Sequence, residues 1–191
     1  MKFISKDIIE FNKELSDLDL FTLDFIRILR KYCKYVIISG YVSILLGRSR
    51  SSEDVDIIIP EIEQSNFSKL VDELKKNDFY CLNTDDEKDI FDYIKKKFAV
   101  RFAKKNTIIP NMELKFAKNK IDDLTLNNVI KVKLNNEEIV ISHLELQIAF
   151  KEKVLKSPKD MEDARHLRNV AEGHLDLDLI KKYEVLLNDF Y

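Results

Sequence analysis

Hydrophobic and polar positions follow two rhythms along this chain, one of period 3–4 and one of period 2. Leu18, Phe21, Phe25, Ile28 and Leu29 recur at helical spacing, so residues 5–32 read as helix in two pieces. Residues 35–39 form an apolar run that ends in Ser39-Gly40, which predicts a buried strand and a turn. Residues 41–46 then read as a short helix beneath that turn. A second strand is expected over residues 54–59, stopped by Pro60. Ser65 or Asn66 caps a helix carrying Leu70 and Leu74, residues 79–82 read as a strand, and residues 85–96 read as a helix with Ile90 and Ile94 on one side. Residues 98–103 and 112–116 are expected as two strands joined through residues 104–111, and residues 129–134 and 138–141 as a hairpin around Asn135-Asn136. Beyond Ser142 the pattern is helical. Ser142 with Glu145 reads as a capping box, Ser157-Pro158 as a helix start, and residues 176–191 as the last helix.

This order predicts the α/β (α+β) class, with a small mixed β-sheet flanked by helices. Residues 1–141 would form the core with N-terminal helices, and residues 142–191 a helical C-terminal lobe packed on it. The strands over 54–59 and 112–116 should lie side by side. Composition changes this little: three glycines and three prolines, against a charged fraction of 35%, favour a helix-rich mixture. A net charge of −2 gives no global field that would draw nucleic acid. Cys33 and Cys81 lie in apolar surroundings and read as free thiols of a reducing compartment. The start of the chain has no signal-peptide pattern and no apolar run reaches membrane-spanning length, so the expectation is a cytoplasmic protein without a membrane partner.

The candidate chemistry concentrates between Ser39 and Ile59. Asp54 and Asp56 sit one residue apart in a strand, so both carboxylates share a face while Val55 and Ile57 take the other. Two adjacent like charges are costly unless a cation offsets them, and hard divalent cations prefer carboxylate oxygens. The turn at Ser39-Gly40 opens a helix, where free N–H groups favour phosphate and Gly40 lets the backbone approach closely. Arg48 and Arg50 stand near enough in sequence to neutralise phosphate charge. Glu113, between Met112 and Leu114, is the best third carboxylate, and Lys115 shares its face. The acids Asp160, Glu162 and Asp163 fall in a first helical turn, where they stabilise the dipole regardless of function. His143, His166 and His174 show no metal-ligand spacing, and no Ser-His-Asp or Cys-His set is evident.

A glycine-led turn and helix, then Arg50-Ser51-Ser52-Glu53-Asp54-Val55-Asp56, then a strand carboxylate in Asn111-Met112-Glu113-Leu114-Lys115-Phe116, resembles the polymerase β-type nucleotidyltransferase superfamily. Ser157-Pro158-Lys159-Asp160-Met161-Glu162-Asp163 is similar to the Lys-Asp-x-x-Asp helix start of its small members of the AbiEii toxin type. The family's turn usually begins Gly-Gly or Gly-Ser; here Ser39 takes the first place and Tyr41 follows Gly40. The resemblance implies Asp54, Asp56 and Glu113 as catalytic and metal-binding residues, with two Mg²⁺ ions, or Mn²⁺, as cofactor. It implies Ser39, Gly40, Arg50, Ser52 and Lys115 as nucleotide-binding residues. It further implies transfer of an NMP from an NTP such as ATP to a tRNA or protein hydroxyl, and a toxin role with a small antitoxin partner. The alternative is a nucleotide- or RNA-binding module of the same fold that transfers weakly or not at all and acts through a protein partner.

Overall fold

The first residues of the chain depart from the helical expectation. In the computed structural model, which describes residues 1–190, Lys2–Ser5 (β1) and Ile8–Phe11 (β2) form an antiparallel pair. The helix begins only at Asp17–Leu29 (α1), where Ser16 and Asp19 form a reciprocal capping box. The physical reason is a partner distant in sequence: β2 joins the sheet alongside Val129–Leu134 (β8), with Ile9 opposite Val132 and fully buried. A long-range ladder overrides weak local propensity. Phe3 also stacks on His174, with ring centroids 4.3 Å apart.

The middle of the chain follows the predicted order. Val36–Ile38 (β3) leads through Ser39 into Gly40–Leu45 (α2), then Asp54–Ile59 (β4) and Gln64–Lys76 (α3). Phe79–Cys81 (β5), Glu87–Lys95 (α4), Val100–Lys104 (β6) and Asn111–Phe116 (β7) come next. Lys120–Asn127 (α5) is a helix the sequence pattern does not announce; Asn119 caps it by accepting from the N–H groups of Ile121 and Asp122. Then follow β8, Glu137–Ser142 (β9) and Leu144–Phe150 (α6), a π-helical turn at Lys151–Leu155, Pro158–Val170 (α7) and Leu177–Asn188 (α8). The expected last helix reached Tyr191, which lies outside the described residues. The expected capping box at Ser142 does not form. Ser142 Oγ instead accepts from Gln147 Nε2, and Glu145 accepts from the Asp176 N–H, so both partners are engaged elsewhere.

The nine strands form one mixed sheet in the order β1-β2-β8-β9-β3-β4-β7-β6-β5. Its two faces differ. Val55, Ile57, Ile59, Met112, Leu114, Phe116, Val100 and Phe102 point into the main core, where α1, α3 and α4 cover them. Phe25 of α1 packs edge-on against Phe79, and Phe67 of α3 against Phe116. On the opposite face Val36 and Ile58 make a separate small cluster with Leu126 of α5. The remainder of that face, over β4, β7 and β6, carries the charged residues. Cys33 and Cys81 form no disulfide, as expected, and burial pushes the Cys33 thiol up to about 12. Among the described residues no helix is long and apolar enough to cross a membrane.

Asp19, at the start of α1, is fully buried. Burial alone would raise its pKa, but Lys13, Ser16 and the Tyr41 hydroxyl hydrogen-bond the carboxylate and hold it below the ordinary 3.8. A depressed folded-state pKa contributes stability that is present above the unfolded value and is lost as pH falls through the folded one. The thermal unfolding midpoint should therefore fall as pH drops from roughly 5 to 3. Asp19→Asn should flatten that stretch of the profile and lower the midpoint at neutral pH, as followed by circular dichroism.

Candidate active site

The site is set by the parallel pairing of β4 and β7. Their register places Asp54 opposite Asn111, Asp56 opposite Glu113, and Ile58 opposite Lys115. Paired residues on adjacent strands share a face, so the three candidate carboxylates and Lys115 all project from the open side of the sheet. Beside them, β3 pairs with β4 and ends at Ile38, opposite Asp56, so the turn at Ser39 emerges next to that carboxylate. Three stretches separated in sequence thus meet at one spot.

Ser39 has φ +66 and ψ −136, a backbone conformation that side-chain-bearing residues rarely adopt. It is held there by its N–H, which donates to Gln147 Oε1 at 3.1 Å. Gly40 lets the Arg50 guanidinium lie directly against the backbone, where a Cβ would push this side-chain end aside. Tyr41 does not stand over the turn. Its ring is fully buried and its hydroxyl donates to Asp19 at 2.8 Å, so it anchors α2 into the core. Ser52 Oγ donates to the Asp54 carbonyl at 3.0 Å and thereby fixes the approach to the first aspartate.

Burial raises the Asp56 pKa; the Lys115 ammonium, 3.5 Å away, lowers it, the charges of Glu113 and Asp54 raise it, and a hydrogen bond from the Ser39 side chain lowers it. Glu113 is met from the far side by Arg101 on β6, whose Nε and Nη2 donate to Oε2 at 3.0 and 2.7 Å. A cavity of about 290 Å³ opens beside Asp56, bounded by Ser39, Lys115 and Lys118, with Ile38, Ile58 and Ile121 giving it an apolar wall. Among the described residues no three His, Cys, Asp or Glu side chains are grouped so as to hold a metal ion. The donor chemistry of Asp54, Asp56 and Glu113 is nonetheless that of a hard divalent cation, all oxygen and all on one face. The three histidines are scattered, to Asp7, to the Leu46 carbonyl and to Phe3.

The sequence reading missed two residues here. Asp163 is fully buried in α7 and receives Arg48, Arg50 (Nε at 3.2 Å) and Lys151 (2.8 Å). Its role is therefore not to complement the helix dipole. Lys151, 1% exposed, opens the π-helical turn and also pairs with Asp160 at 3.2 Å. Burial lowers the pKa of Lys151 and of Arg50. Asp160 does complete a cap with Ser157 as well. The signal available in the sequence was a lysine following the mostly apolar stretch Leu146-Gln147-Ile148-Ala149-Phe150, where a buried charge needs a partner.

Two stability predictions follow from these charges. Asp163→Ala leaves three cations without their shared carboxylate and should cost about 3–5 kcal/mol in urea unfolding, whereas Lys151→Met with Asp163→Leu should recover part of that loss. Asp56 carries a raised folded-state pKa, so its effect is favourable below its unfolded value and is lost as pH rises through the folded one. Asp56→Asn should accordingly raise the thermal midpoint at pH 7, and the gain should vanish on acidification towards the ordinary carboxylate pKa.

No protein-family model matches the sequence and no curated protein matches it. Solved structures do. An antigenic nucleotidyltransferase-like protein from Paracoccidioides brasiliensis superposes with a TM-score of 0.53 at 16% identity, over 92% of this chain and 90% of its own. The antibiotic-resistance factor ANT(2'')-Ia superposes with a TM-score of 0.50 at 10% identity, over 92% of this chain and 95% of its own. At these identities the likeness concerns the fold, and the fold of this chain is that of nucleotidyltransferase-like proteins.

Proposed function

We propose that this protein is a metal-dependent nucleotidyltransferase that moves an NMP from an NTP to a hydroxyl acceptor. The observation that carries the reading is the β4–β7 register, which sets Asp56 opposite Glu113 with Asp54 on the same sheet face, beside the Ser39-Gly40 turn and the cavity next to Asp56.

The division of labour follows from what each group offers. Asp54 and Asp56, with Glu113, would hold Mg²⁺ or Mn²⁺. Such ions, when bound, neutralise the charge that develops on the transferring phosphoryl group. Gly40 offers backbone close to the phosphates beside the Ser39 side chain, the Ser39 N–H being held by Gln147, and Arg50, held over Gly40 by Asp163, adds a fixed positive charge there. Lys115 lies on the cavity side of Asp56 and faces the same ligand. The acceptor oxygen forms a bond to the α-phosphorus as the α–β anhydride bond breaks, and pyrophosphate leaves with that electron pair. The acceptor proton passes to a carboxylate of the site, a role we assign to Glu113 once it joins the pair. Ser52 acts on the site through Asp54 rather than on the nucleotide.

The family resemblance supplies the first acceptors to try, tRNA and protein hydroxyls, and a growth-arresting role countered by a small antitoxin. Incubation of the full chain with each labelled NTP, Mg²⁺ and total tRNA or cell protein should give label transfer. Asp54→Ala and Asp56→Ala should each reduce it about a thousandfold, the rate equivalent of roughly 4 kcal/mol of lost transition-state stabilisation. Nucleotide binding without transfer across these acceptors, or transfer indifferent to both substitutions, would sink the enzymatic reading in favour of a binding module.

A further inference from the structure

Glu113 stands between two opposite demands. The β4, β7 and β6 register sets Asp56, Glu113 and Arg101 in one row across three adjacent strands. Neighbouring strands lie about 4.8 Å apart, so Glu113 has a carboxylate as its neighbour on one side and a guanidinium on the other. In this structure it is committed to the guanidinium, since Nε and Nη2 of Arg101 both donate to its Oε2. Two further observations agree with that commitment. The cavity beside Asp56 is bounded by Ser39, Asp56 and Lys115 but by neither Glu113 nor Asp54. Asp54, Asp56 and Glu113, although they share a face, are not grouped so as to hold a metal ion.

We propose that Arg101 is a positioning residue that holds Glu113 away from Asp54 and Asp56, so that the third carboxylate joins the pair only when the guanidinium releases it. The proposal rests on the reading of Asp54 and Asp56 as metal-binding carboxylates. Its energetics suit a reversible hold. Arg101 is half exposed, and an ion pair screened by solvent is a weak restraint that a divalent cation can outcompete. The hold is also specific to Glu113. Lys115 meets Asp56 at 3.5 Å as a single point charge from the cavity side, whereas Arg101 uses two donors from the opposite flank. Once released, the guanidinium remains on the open face with its planar set of N–H donors, a geometry suited to a phosphate or carboxylate of an incoming acceptor. The competing role for such an arginine is to orient a metal ligand from behind, and loss of an orienting partner weakens metal binding. The two roles predict opposite signs.

Titration of the full chain with Mn²⁺ alone, followed by the electron paramagnetic resonance signal of the free ion, separates them. Arg101→Gln should bind Mn²⁺ roughly fivefold more tightly than the wild type, about the most that a half-exposed ion pair can hold back. In a Glu113→Gln background the same substitution should change the affinity less than about twofold, because the gain is routed through Glu113. Unchanged or weaker binding in Arg101→Gln, or a gain that persists without Glu113, overturns the proposal. Asp56→Asn serves as the control for the underlying reading. If it loses Mn²⁺ while Arg101→Gln equals the wild type, the metal site stands and the hold on Glu113 does not. If it binds Mn²⁺ as the wild type does, or if neither the wild type nor Arg101→Gln binds, both ideas fall. Coincident thermal midpoints for the wild type, Arg101→Gln and Glu113→Gln establish that these affinities compare folded proteins.

Discussion

The parallel ladder between β4 and β7 is the constraint on which the rest depends. Six residue pairs run from Asp54 opposite Asn111 to Ile59 opposite Phe116. A slip of one residue would send Val55 and Ile57 to the open face and drive Asp54 and Asp56 into the aromatic core around Phe67, Phe91 and Phe116. The cost of burying those carboxylates unpaired fixes the register. The same alternation that builds the hydrophobic side therefore lines up the charged side, and packing and chemistry are set by a single interaction. The antiparallel pairing of β3 with β4 extends this order to the turn, because Ile38 opposite Asp56 leaves Ser39 at the carboxylate.

The C-terminal helices contribute to the site as well as to the core. Asp163 in α7 gathers Arg48, Arg50 and Lys151, so the loop before β4 is held by a carboxylate from far down the chain. Gln147 of α6 reaches the Ser39 N–H, and four residues later Lys151 begins the π-helical turn. A buried cluster of this kind contributes little net stability, because desolvation offsets most of the Coulombic gain, but it does fix geometry once every charge is paired. Asp56, whose charged form is disfavoured by burial and by its acidic neighbours, is the complementary case: a local destabilisation of the sort expected where a ligand is to bind.

How much of this was legible in the sequence depends on the range of the interactions. Most local signals were sound, although the cap expected at Ser65 or Asn66 is not used, since α3 already begins at Gln64 behind Glu63. The period-2 runs at β4 and β7, the breaker at Pro60, the Ser157-Pro158 helix start and the shared face of Asp54 and Asp56 all hold. The adjacency of β4 and β7 expected from the order of elements also holds. What else failed was decided at long range. Residues 2–11 lack a strong strand pattern of their own and become strands because β8 offers a ladder. Ser142 and Glu145 satisfy a capping rule on paper, yet Gln147 and Asp176 claim them. Tyr41 follows the turn directly in sequence, yet its buried ring and its hydroxyl, which donates to Asp19, are placed by a contact with α1. Asp163 reads locally as an N-terminal helix acid, and its three cationic partners lie at separations no pattern along the chain reports.

The central claim is that the open face over Asp54 and Asp56 binds a metal–nucleotide complex. The most direct measurement is the crystal structure of the full chain with Mn²⁺ and a non-hydrolysable NTP analogue, with the metal located by its anomalous scattering. The account predicts anomalous density against the Asp54 and Asp56 carboxylates, with the phosphates against Ser39 and Gly40 and within reach of Arg50. Metal and nucleotide bound away from this face, with Asp54 and Asp56 still engaged by Ser52, Ser39 and Lys115, would contradict it.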